Sequence, residues 1–334
     1  MMDANWQQMI PRGATLNLMA MLDGTDSEVY NLMMSANPNA GASNVLDMLQ
    51  FGAGYGEGLL QALSMPRTSG FPSSVADVFL DISSESYHAD ESIVTRSKLE
   101  ALLRSPQHYK HMLSNPKVPT DAMIIGTAVH TAVLEPEKFS QFYVGYSGAG
   151  NRSSKEYKAF AESHPDKVIL TGKDYQKVIG IRDAVMNFTD YPLAQLIPAG
   201  EKEKTLRWVD PQTGLTCQIR PDLLLDFAIF DLKKCADARP HRFMWSARDL
   251  NYDLQAAMYR IGVRETLGIE LPFIFIAVEE DAPHGIKLYE APSAMIKDGE
   301  ARFHKALETL QNCRKTNTWP GYERPIDVME WRTR

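Results

Sequence analysis

Hydrophobic positions recur at helical spacing over most of the chain after residue 90. Leu99, Leu102 and Leu103 fall on one helix face, and Ser105-Pro106 then predicts the end of that helix. The stretch 121–134 is apolar on nearly all sides, which indicates a buried helix. The same reasoning predicts helices over residues 97–105, 121–134, 155–162, 173–188, 242–248, 250–267 and 293–314.

Between residues 204 and 232 the spacing changes to that of strands. An alternating run at 204–209 is followed by the turn signal Asp210-Pro211-Gln212-Thr213-Gly214 and by further strand-like runs at 215–219 and 223–232. These three runs predict an antiparallel meander, and two more strands are expected at 273–278 and 286–290. We therefore expect residues 87–334 to form one α/β domain, a mixed β-sheet flanked by helices.

Residues 1–86 have a different character. The first 90 residues hold nine of the sixteen methionines, and only Arg12 and Arg67 oppose ten acidic residues there, a net charge of −8. Short amphipathic pieces alternate with turn-rich tracts, which predicts a mostly helical and irregular segment. Such a segment suits a partner-binding arm or a partly disordered one, and a loosely ordered extension of the fold is an equally simple interpretation.

Charge and cysteine content narrow the class of protein. The whole chain carries a net charge of −7, but beyond residue 90 it has 33 basic against 32 acidic residues, so a local DNA-binding groove is compatible with the composition. No apolar run reaches the ~18 residues of a membrane helix, and no basic stretch leads into an apolar run at the N-terminus. The three scattered cysteines argue against a disulfide framework, a zinc site or an iron–sulfur cluster, so a reducing cytoplasm is the expected location.

The residues with the clearest chemistry are Asp222, Asp231 and Lys233. Asp222 opens an apolar run, and Asp231 and Lys233 lie two apart at its far end, so their side chains share one strand face. If the run folds back as a hairpin or bent strand, Asp222 lies beside Asp231. Two such carboxylates would form a site for Mg²⁺ or Mn²⁺, and a lysine there would orient a water and stabilise a phosphate transition state.

The Asp-x-Lys triplet alone is a weak signal, but several other stretches accompany it. The chain resembles the RecE-type exonuclease VIII family of the PD-(D/E)xK nuclease superfamily over about residues 87–319. The stretches that carry the resemblance, in family order, are Tyr87-His88-Ala89, Ser97-x-Leu99 leading to Ser105-Pro106, Gly126-Thr127-Ala128-Val129-His130, Leu134-Glu135-Pro136, Trp208-x-Asp210-Pro211-x-Thr213-Gly214, Arg220-Pro221-Asp222, Asp231-Leu232-Lys233 and Tyr252-x-x-Gln255-Ala256-Ala257-x-Tyr259.

The resemblance implies a role for each matched residue. Asp222 and Asp231 would hold the metal together with His130, and Lys233 would act on the water. Gln255 and Tyr259, one helical turn apart, would face the site from the following helix. Glu203 would add a further carboxylate.

Plain structural interpretations compete with several of these roles. A histidine in an apolar helix is usually a core residue, and Gln255 and Tyr259 would also serve as helix-packing residues. Glu203 stands among alternating charges, which are typical of a solvated face. Basic residues near the helix start at Ser97 would either hold a 5′ phosphate or form ordinary surface; they are Arg96, Lys98 and Arg104.

As a function, the resemblance implies a Mg²⁺-dependent exonuclease that degrades one strand of duplex DNA from its 5′ end. The 3′ single-stranded tail would pass to a RecT-like annealing protein, and the enzyme would form a ring-like homo-oligomer around DNA. It would be encoded by a phage or prophage and act in the bacterial cytoplasm. Two alternatives remain, a structure-specific endonuclease and a non-catalytic protein that binds DNA ends or a partner.

Overall fold

The computed structural model describes residues 78–115, 118–148 and 152–322, together with residues 326, 328 and 329. Most of the acidic, methionine-rich segment predicted at residues 1–86 lies outside the described residues. Its last part packs on the fold, since Leu80 forms a β-bridge with Thr205. None of the described helices is both long enough and apolar enough to cross a membrane.

Eleven helices lie within the described residues, and most begin and end within a few residues of the predicted bounds. They are α1 (Ser84–Ala89), α2 (Arg96–Arg104), α3 (Pro106–Ser114), α4 (Asp121–Leu134), α5 (Pro136–Phe142), α6 (Lys155–Glu162), α7 (Gly172–Met186), α8 (Leu193–Ala199), α9 (Pro240–Asp249), α10 (Tyr252–Leu267) and α11 (Ser293–Thr316). The predicted break at Ser105-Pro106 is confirmed. The Ser105 hydroxyl accepts a hydrogen bond from the His108 backbone N–H and so caps α3, which begins at Pro106.

A mixed five-stranded sheet forms the centre of the molecule, as the sequence predicted. Its strands are β3 (Glu201–Lys202), β6 (Leu223–Leu224), β7 (Ile229–Cys235), β8 (Phe273–Glu279) and β9 (Ile286–Glu290), hydrogen-bonded in that order. Within this central sheet β7 and β8 are the one parallel pair, and α9 and α10 form the crossover between them. Two small sheets accompany it, a parallel pair of β1 (Tyr143–Tyr146) and β2 (Val168–Thr171) and an antiparallel pair of β4 (Leu206–Val209) and β5 (Thr216–Ile219).

Each face of the central sheet carries its own hydrophobic core. Ile229, Phe273 and Phe275 face a cluster that includes α2, α10 and α11. Phe230 and Ile276, which point the opposite way, face a second cluster that includes α4, α7 and α8. The central strands are apolar on both sides because helices cover both faces, and the result is a three-layer α/β/α arrangement.

The predicted three-stranded meander is wrong in one respect. The first two runs pair with each other as β4 and β5, but the third run does not join them. It folds back on itself as β6 and β7, with the turn closed by a hydrogen bond from the Leu225 N–H to the Ala228 carbonyl. Pro221, which lacks an N–H for a sheet ladder, separates β5 from this hairpin and directs it into the central sheet.

Candidate active site

The β6–β7 hairpin brings Asp222 beside Asp231. Leu223 pairs with Phe230 in the hairpin, so the residues just outside this pair, Asp222 and Asp231, lie next to each other. The Leu232 backbone N–H donates a 2.7 Å hydrogen bond to Asp222 Oδ2, which holds the carboxylate against β7. The hairpin that the sequence offered as one way to join the two carboxylates is therefore the one that forms.

Lys233 shares a strand face with Asp231, as the spacing of two predicted. Its Nζ lies 2.5 Å from Asp231 Oδ2, and its side chain keeps 15% of its surface exposed while that of Asp231 keeps 1%. The ammonium also lies over the ring of Tyr252, 4.8 Å from the centroid, at a distance typical of a cation–π contact. Lys233 is thus held from two sides at the rim of a buried carboxylate.

Helix α10 carries Gln255 and Tyr259, and Gln255 contacts the same carboxylate. Gln255 donates a 2.5 Å hydrogen bond from Nε2 to Asp231 Oδ1, while its Oε1 is buried and accepts no hydrogen bond from any described residue. Tyr259 is 8% exposed and packs edge-on against Phe273. Burial and the nearby charge of Asp231 raise the pKa of Tyr259 well above its usual range, so its hydroxyl stays protonated.

His130 reaches the site from α4 and contacts Asp222. Its Nδ1 donates to the Gly126 carbonyl at 2.9 Å, and its Nε2 lies 3.0 Å from Asp222 Oδ2. Burial alone would lower the pKa of His130, but the charge and hydrogen bond of Asp222 outweigh it and raise that pKa to about 10. The same pairing holds the pKa of Asp222 below its usual value despite burial. In this geometry His130 is the ionic partner of Asp222.

Glu203 lies at the edge of the same group of charges. It follows β3 in left-handed backbone (φ 53°), and its N–H donates to the Pro221 carbonyl. Burial, followed by repulsion from Asp222, raises its pKa to about 8. The alternating charges around Glu203 favoured a solvated face, but the structure places it half-buried and within the field of Asp222.

Comparison with known proteins supports a nuclease core. Residues 95–330 match the family described as a PDDEXK-like domain of unknown function, DUF3799. The chain belongs to this family. No curated protein matches it significantly. Among solved structures, one similar chain is titled "Putative exonuclease" and comes from Eubacterium rectale; it has 16% identity and a TM-score of 0.50 over 74% of this chain and 97% of the other. At this identity the likeness shows the fold, which agrees with the PD-(D/E)xK assignment made from the motifs.

Nucleases of the PDDEXK superfamily generally use divalent metal ions, and the donor set here fits one. Asp231 Oδ2 is buried and lies 2.5 Å from Lys233 Nζ, while Oδ1 accepts from Gln255. Burial raises the pKa of Asp231 and the charge of Asp222 adds to the rise, while Lys233 opposes it. A hard cation shared by Asp222 and Asp231 would remove their mutual repulsion and bind the carboxylate oxygens that are its preferred ligands.

The protein does not by itself form a full metal cage in this region. Within the described ranges, no group of three or more His, Cys, Asp and Glu side chains is arranged to hold a metal ion. Mg²⁺ is commonly held by one or two carboxylates while waters and substrate phosphates complete its shell, so a two-carboxylate site suits it. His130 and Glu203 remain predicted ligands that lie beside this pair.

Two residues of this PDDEXK domain have roles that the sequence reasoning missed. Tyr252 supports the Lys233 ammonium with its ring face. Arg220 holds the segment before the domain in place, since it donates to the Ile82 carbonyl and stacks on Tyr87. Tyr252 lies three residues before Gln255 on the same helix, and this spacing is the signal that could have identified it.

The phosphate-binding interpretation of the α2 start fails for Lys98. Its side chain is buried, and its Nζ donates to the Asp90 and Ile93 carbonyls at 2.6 and 2.8 Å. A lysine whose ammonium is already used by two carbonyls serves the local fold. Arg96 is similarly engaged, with Glu100 at 2.7 Å.

Proposed function

We propose that the chain is a Mg²⁺-dependent exonuclease that resects duplex DNA from 5′ to 3′ and leaves a 3′ single-stranded tail. The observation that carries this proposal is the convergence of Asp222, Asp231, Lys233 and Gln255 at one end of the β6–β7 hairpin. A binding protein needs no such trio of two carboxylates and a lysine, whereas hydrolysis of a phosphodiester does. Mn²⁺ is expected to substitute for Mg²⁺, since both prefer oxygen ligands.

In the proposed hydrolysis each residue of the site has a separate role. A bound divalent ion would polarise the phosphate and lower the pKa of a water. Lys233 orients that water and neutralises negative charge that develops on the phosphoryl oxygens. Gln255 fixes the rotamer of Asp231 through its hydrogen bond, and His130 fixes that of Asp222. The attacking water forms a new P–O bond and gives its proton to the solvent, while the bond to the leaving sugar oxygen breaks and that oxygen takes a proton from the solvent.

The finer parts of the proposal rest on the resemblance to the RecE-type family. They are the 5′ polarity, a ring-like homo-oligomer around DNA, a RecT-like annealing protein as partner, and action in the bacterial cytoplasm as a phage or prophage product. An enzyme of this kind binds DNA through its phosphates and makes no base-specific contacts. Its activity should therefore fall steeply as the salt concentration rises.

The polarity is tested with linear duplex DNA labelled separately at its 5′ and 3′ ends, in Mg²⁺ and in chelator, alongside a closed circular duplex. The proposal expects metal-dependent early release of the 5′ label and an intact circle. Cleavage of the circle would instead identify an endonuclease. DNA binding without cleavage under any metal would identify a non-catalytic end-binding protein.

A further inference from the structure

Helix α9 carries an exposed aromatic side chain between two exposed arginines. Trp245 is 53% exposed, and Arg242 and Arg248 lie three residues before and after it, on the same helix face. The Arg248 guanidinium lies 5.7 Å from the Trp245 ring centroid. We call these three residues the Trp245 surface.

Trp245 is not part of the buried side of α9. Phe243 and Ala247 supply the buried side of α9, and Phe243 alone contacts Tyr252, Phe275 and Tyr289. An exposed indole presents a large apolar area to water, which a polar residue at this position would not do. A surface role therefore explains Trp245 better than a structural one.

The two arginines are available to a ligand. Neither Arg242 nor Arg248 forms a salt bridge with another residue in the described ranges, whereas Arg239, just before the helix, pairs with Asp237 at 2.6 Å. The exposed side of α9 therefore carries Arg242 and Arg248 against a single carboxylate, Asp249, in a chain whose net charge is −7. This charge pattern favours a polyanion over an acidic or apolar protein surface.

The buried side of helix α9, opposite the Trp245 surface, packs next to the candidate active site. Helix α9 begins five residues after the end of β7, the strand that carries Asp231 and Lys233. Its buried Phe243 packs against Tyr252 with ring centroids 6.0 Å apart, and Tyr252 in turn lies under the Lys233 ammonium. One layer of side chains thus separates α9 from the residues proposed to cleave DNA.

We propose that the Trp245 surface binds the unpaired strand of the DNA substrate. An unpaired base stacks on the exposed indole, and Arg242 and Arg248 contact the flanking phosphates. Paired bases have no free face to offer an indole, so the surface distinguishes single strands from duplex. The inference rests on the proposed function, since resection is what creates unpaired nucleotides beside the site.

The test measures the binding of a fluorescein-labelled oligodeoxythymidylate by fluorescence anisotropy, in chelator so that no cleavage occurs. Trp245→Ala is expected to weaken binding by about 5- to 100-fold, and Trp245→Phe, which keeps a ring, to retain most of it. The double variant Arg242→Gln/Arg248→Gln should reduce the slope of log K against log salt by about 1.4, from two lost phosphate contacts. Met244→Ala is the matched control, since it removes a neighbouring exposed apolar side chain of α9 outside the surface, and it should bind as wild type does.

Two results would overturn the proposal. One is wild-type affinity of Trp245→Ala for the oligonucleotide, and the other is a wild-type protein that does not bind it at all. A changed oligomeric state of Trp245→Ala in sedimentation, with DNA binding unaltered, would assign the surface to contacts between copies of the chain and would equally reject it. Thermal unfolding of Trp245→Ala should show a folded protein with at most a small loss of stability, because about half of the side chain is exposed.

The same experiment separates this inference from the proposed function. If the wild-type protein releases no nucleotide in any metal but Trp245 still governs oligonucleotide binding, the nuclease proposal fails and the surface stands. If metal-dependent cleavage is found and Trp245→Ala binds normally, the surface fails and the nuclease proposal stands.

Discussion

At the scale of single residues, Asp231 shows how this site is prepared for a cation. It is almost fully buried, one oxygen accepts from Gln255, and the other faces the Lys233 ammonium. Burial of a charged carboxylate lowers the stability of the fold unless an opposite charge or hydrogen bonds offset the lost hydration. Here Lys233, which remains partly exposed, supplies the opposite charge. Lys233 is therefore placed where it offsets the charge of Asp231 while keeping part of its own side chain exposed.

Tyr252 should act as a positioning residue for Lys233. Tyr252→Leu removes the ring face under the ammonium, and because a cation–π contact is worth ~0.5–2 kcal/mol, we expect kcat for duplex cleavage to fall by about 2- to 30-fold. KM should change little, since the ring lies under the lysine and not against DNA. Steady-state cleavage of a labelled duplex measures both constants.

Tyr252→Phe is the control for that variant, since it keeps the ring and loses only the hydroxyl. It should retain nearly wild-type kcat. Equal losses in the Leu and Phe variants would contradict a cation–π role, and thermal unfolding of both shows whether the contacts of Tyr252 with Phe243 and Phe275 matter for stability instead.

How far single residues were predictable depended on how local their contacts are. The period of a strand placed Asp231 and Lys233 on one face, and the structure confirms this. Lys98 binds carbonyls only five and eight residues upstream, in the turn before α2, but which carbonyls that turn presents is not visible from periodicity; the charges around Glu203 lie in other segments of the chain. Nothing in the local pattern showed that Lys98 would be buried against two carbonyls or that Glu203 would lie in the field of Asp222.

At the scale of elements, α10 and α11 approach each other closely at a glycine. A Cβ built on Gly299 would lie 2.1 Å from the Asp253 carbonyl oxygen, so the two helices have no room for a methyl group there. Because α10 carries Gln255 and Tyr259, this close approach of α10 and α11 also helps to position those two side chains. Gly126 in α4 is different, because a Cβ there would meet nothing within 4 Å.

These two glycines give a matched pair of stability predictions. Gly299→Ala should lower the free energy of unfolding by ~1–3 kcal/mol through overpacking, because the obstacle is backbone and cannot move aside alone. Gly126→Ala should raise it by ~0.5–1 kcal/mol through helix propensity. Denaturant unfolding of both variants checks the signs, and destabilisation by Gly126→Ala would show that α4 is more crowded than described.

Elements were predictable where one local pattern decided them. The bounds predicted for α4 and α6 agree with the structure, since helical spacing and capping residues act within a few positions. The meander was wrong because β7 pairs with β8, a strand distant in sequence, and so belongs to the central sheet and not to the β4–β5 pair. The apolar run at 223–232 has the same sequence pattern in two cases, when it adds a third strand to the β4–β5 pair and when it folds back as β6 and β7. The pattern alone therefore does not distinguish them.

At the scale of the whole molecule, the domain begins before the region that matches the PDDEXK family. Leu80 pairs with Thr205, and Arg220, just before the β6–β7 hairpin, donates to the Ile82 carbonyl at 2.8 Å. Residues 78–86 are therefore attached to the same body as the site. The acidic, methionine-rich residues before them are the part that we propose to bind an annealing protein or another subunit.

Removal of residues 1–77 should separate these two roles. Because the contacts of Leu80 and Ile82 are kept, we expect metal-dependent cleavage to persist at close to the wild-type rate. Association with the annealing protein or with other copies of the chain should be lost, as measured by co-purification and sedimentation. Retained association would reject the partner-binding role, and a shortened chain that fails to fold would show that residues 1–77 belong to the domain.

The central claim is that Asp222, Asp231 and Lys233 form a metal-dependent nuclease site, and Lys233 and Lys234 offer a matched pair with which to test it. The two are neighbours on opposite faces of β7, and Lys234 forms an ion pair with Glu280 away from the carboxylates. The most direct measurement is the rate of nucleotide release from linear duplex DNA in Mg²⁺ by wild type, Lys233→Ala and Lys234→Ala. The account predicts a loss of about 100-fold or more for Lys233→Ala and a nearly wild-type rate for Lys234→Ala. A Lys233→Ala variant as fast as wild type, or equal losses in both, would contradict it.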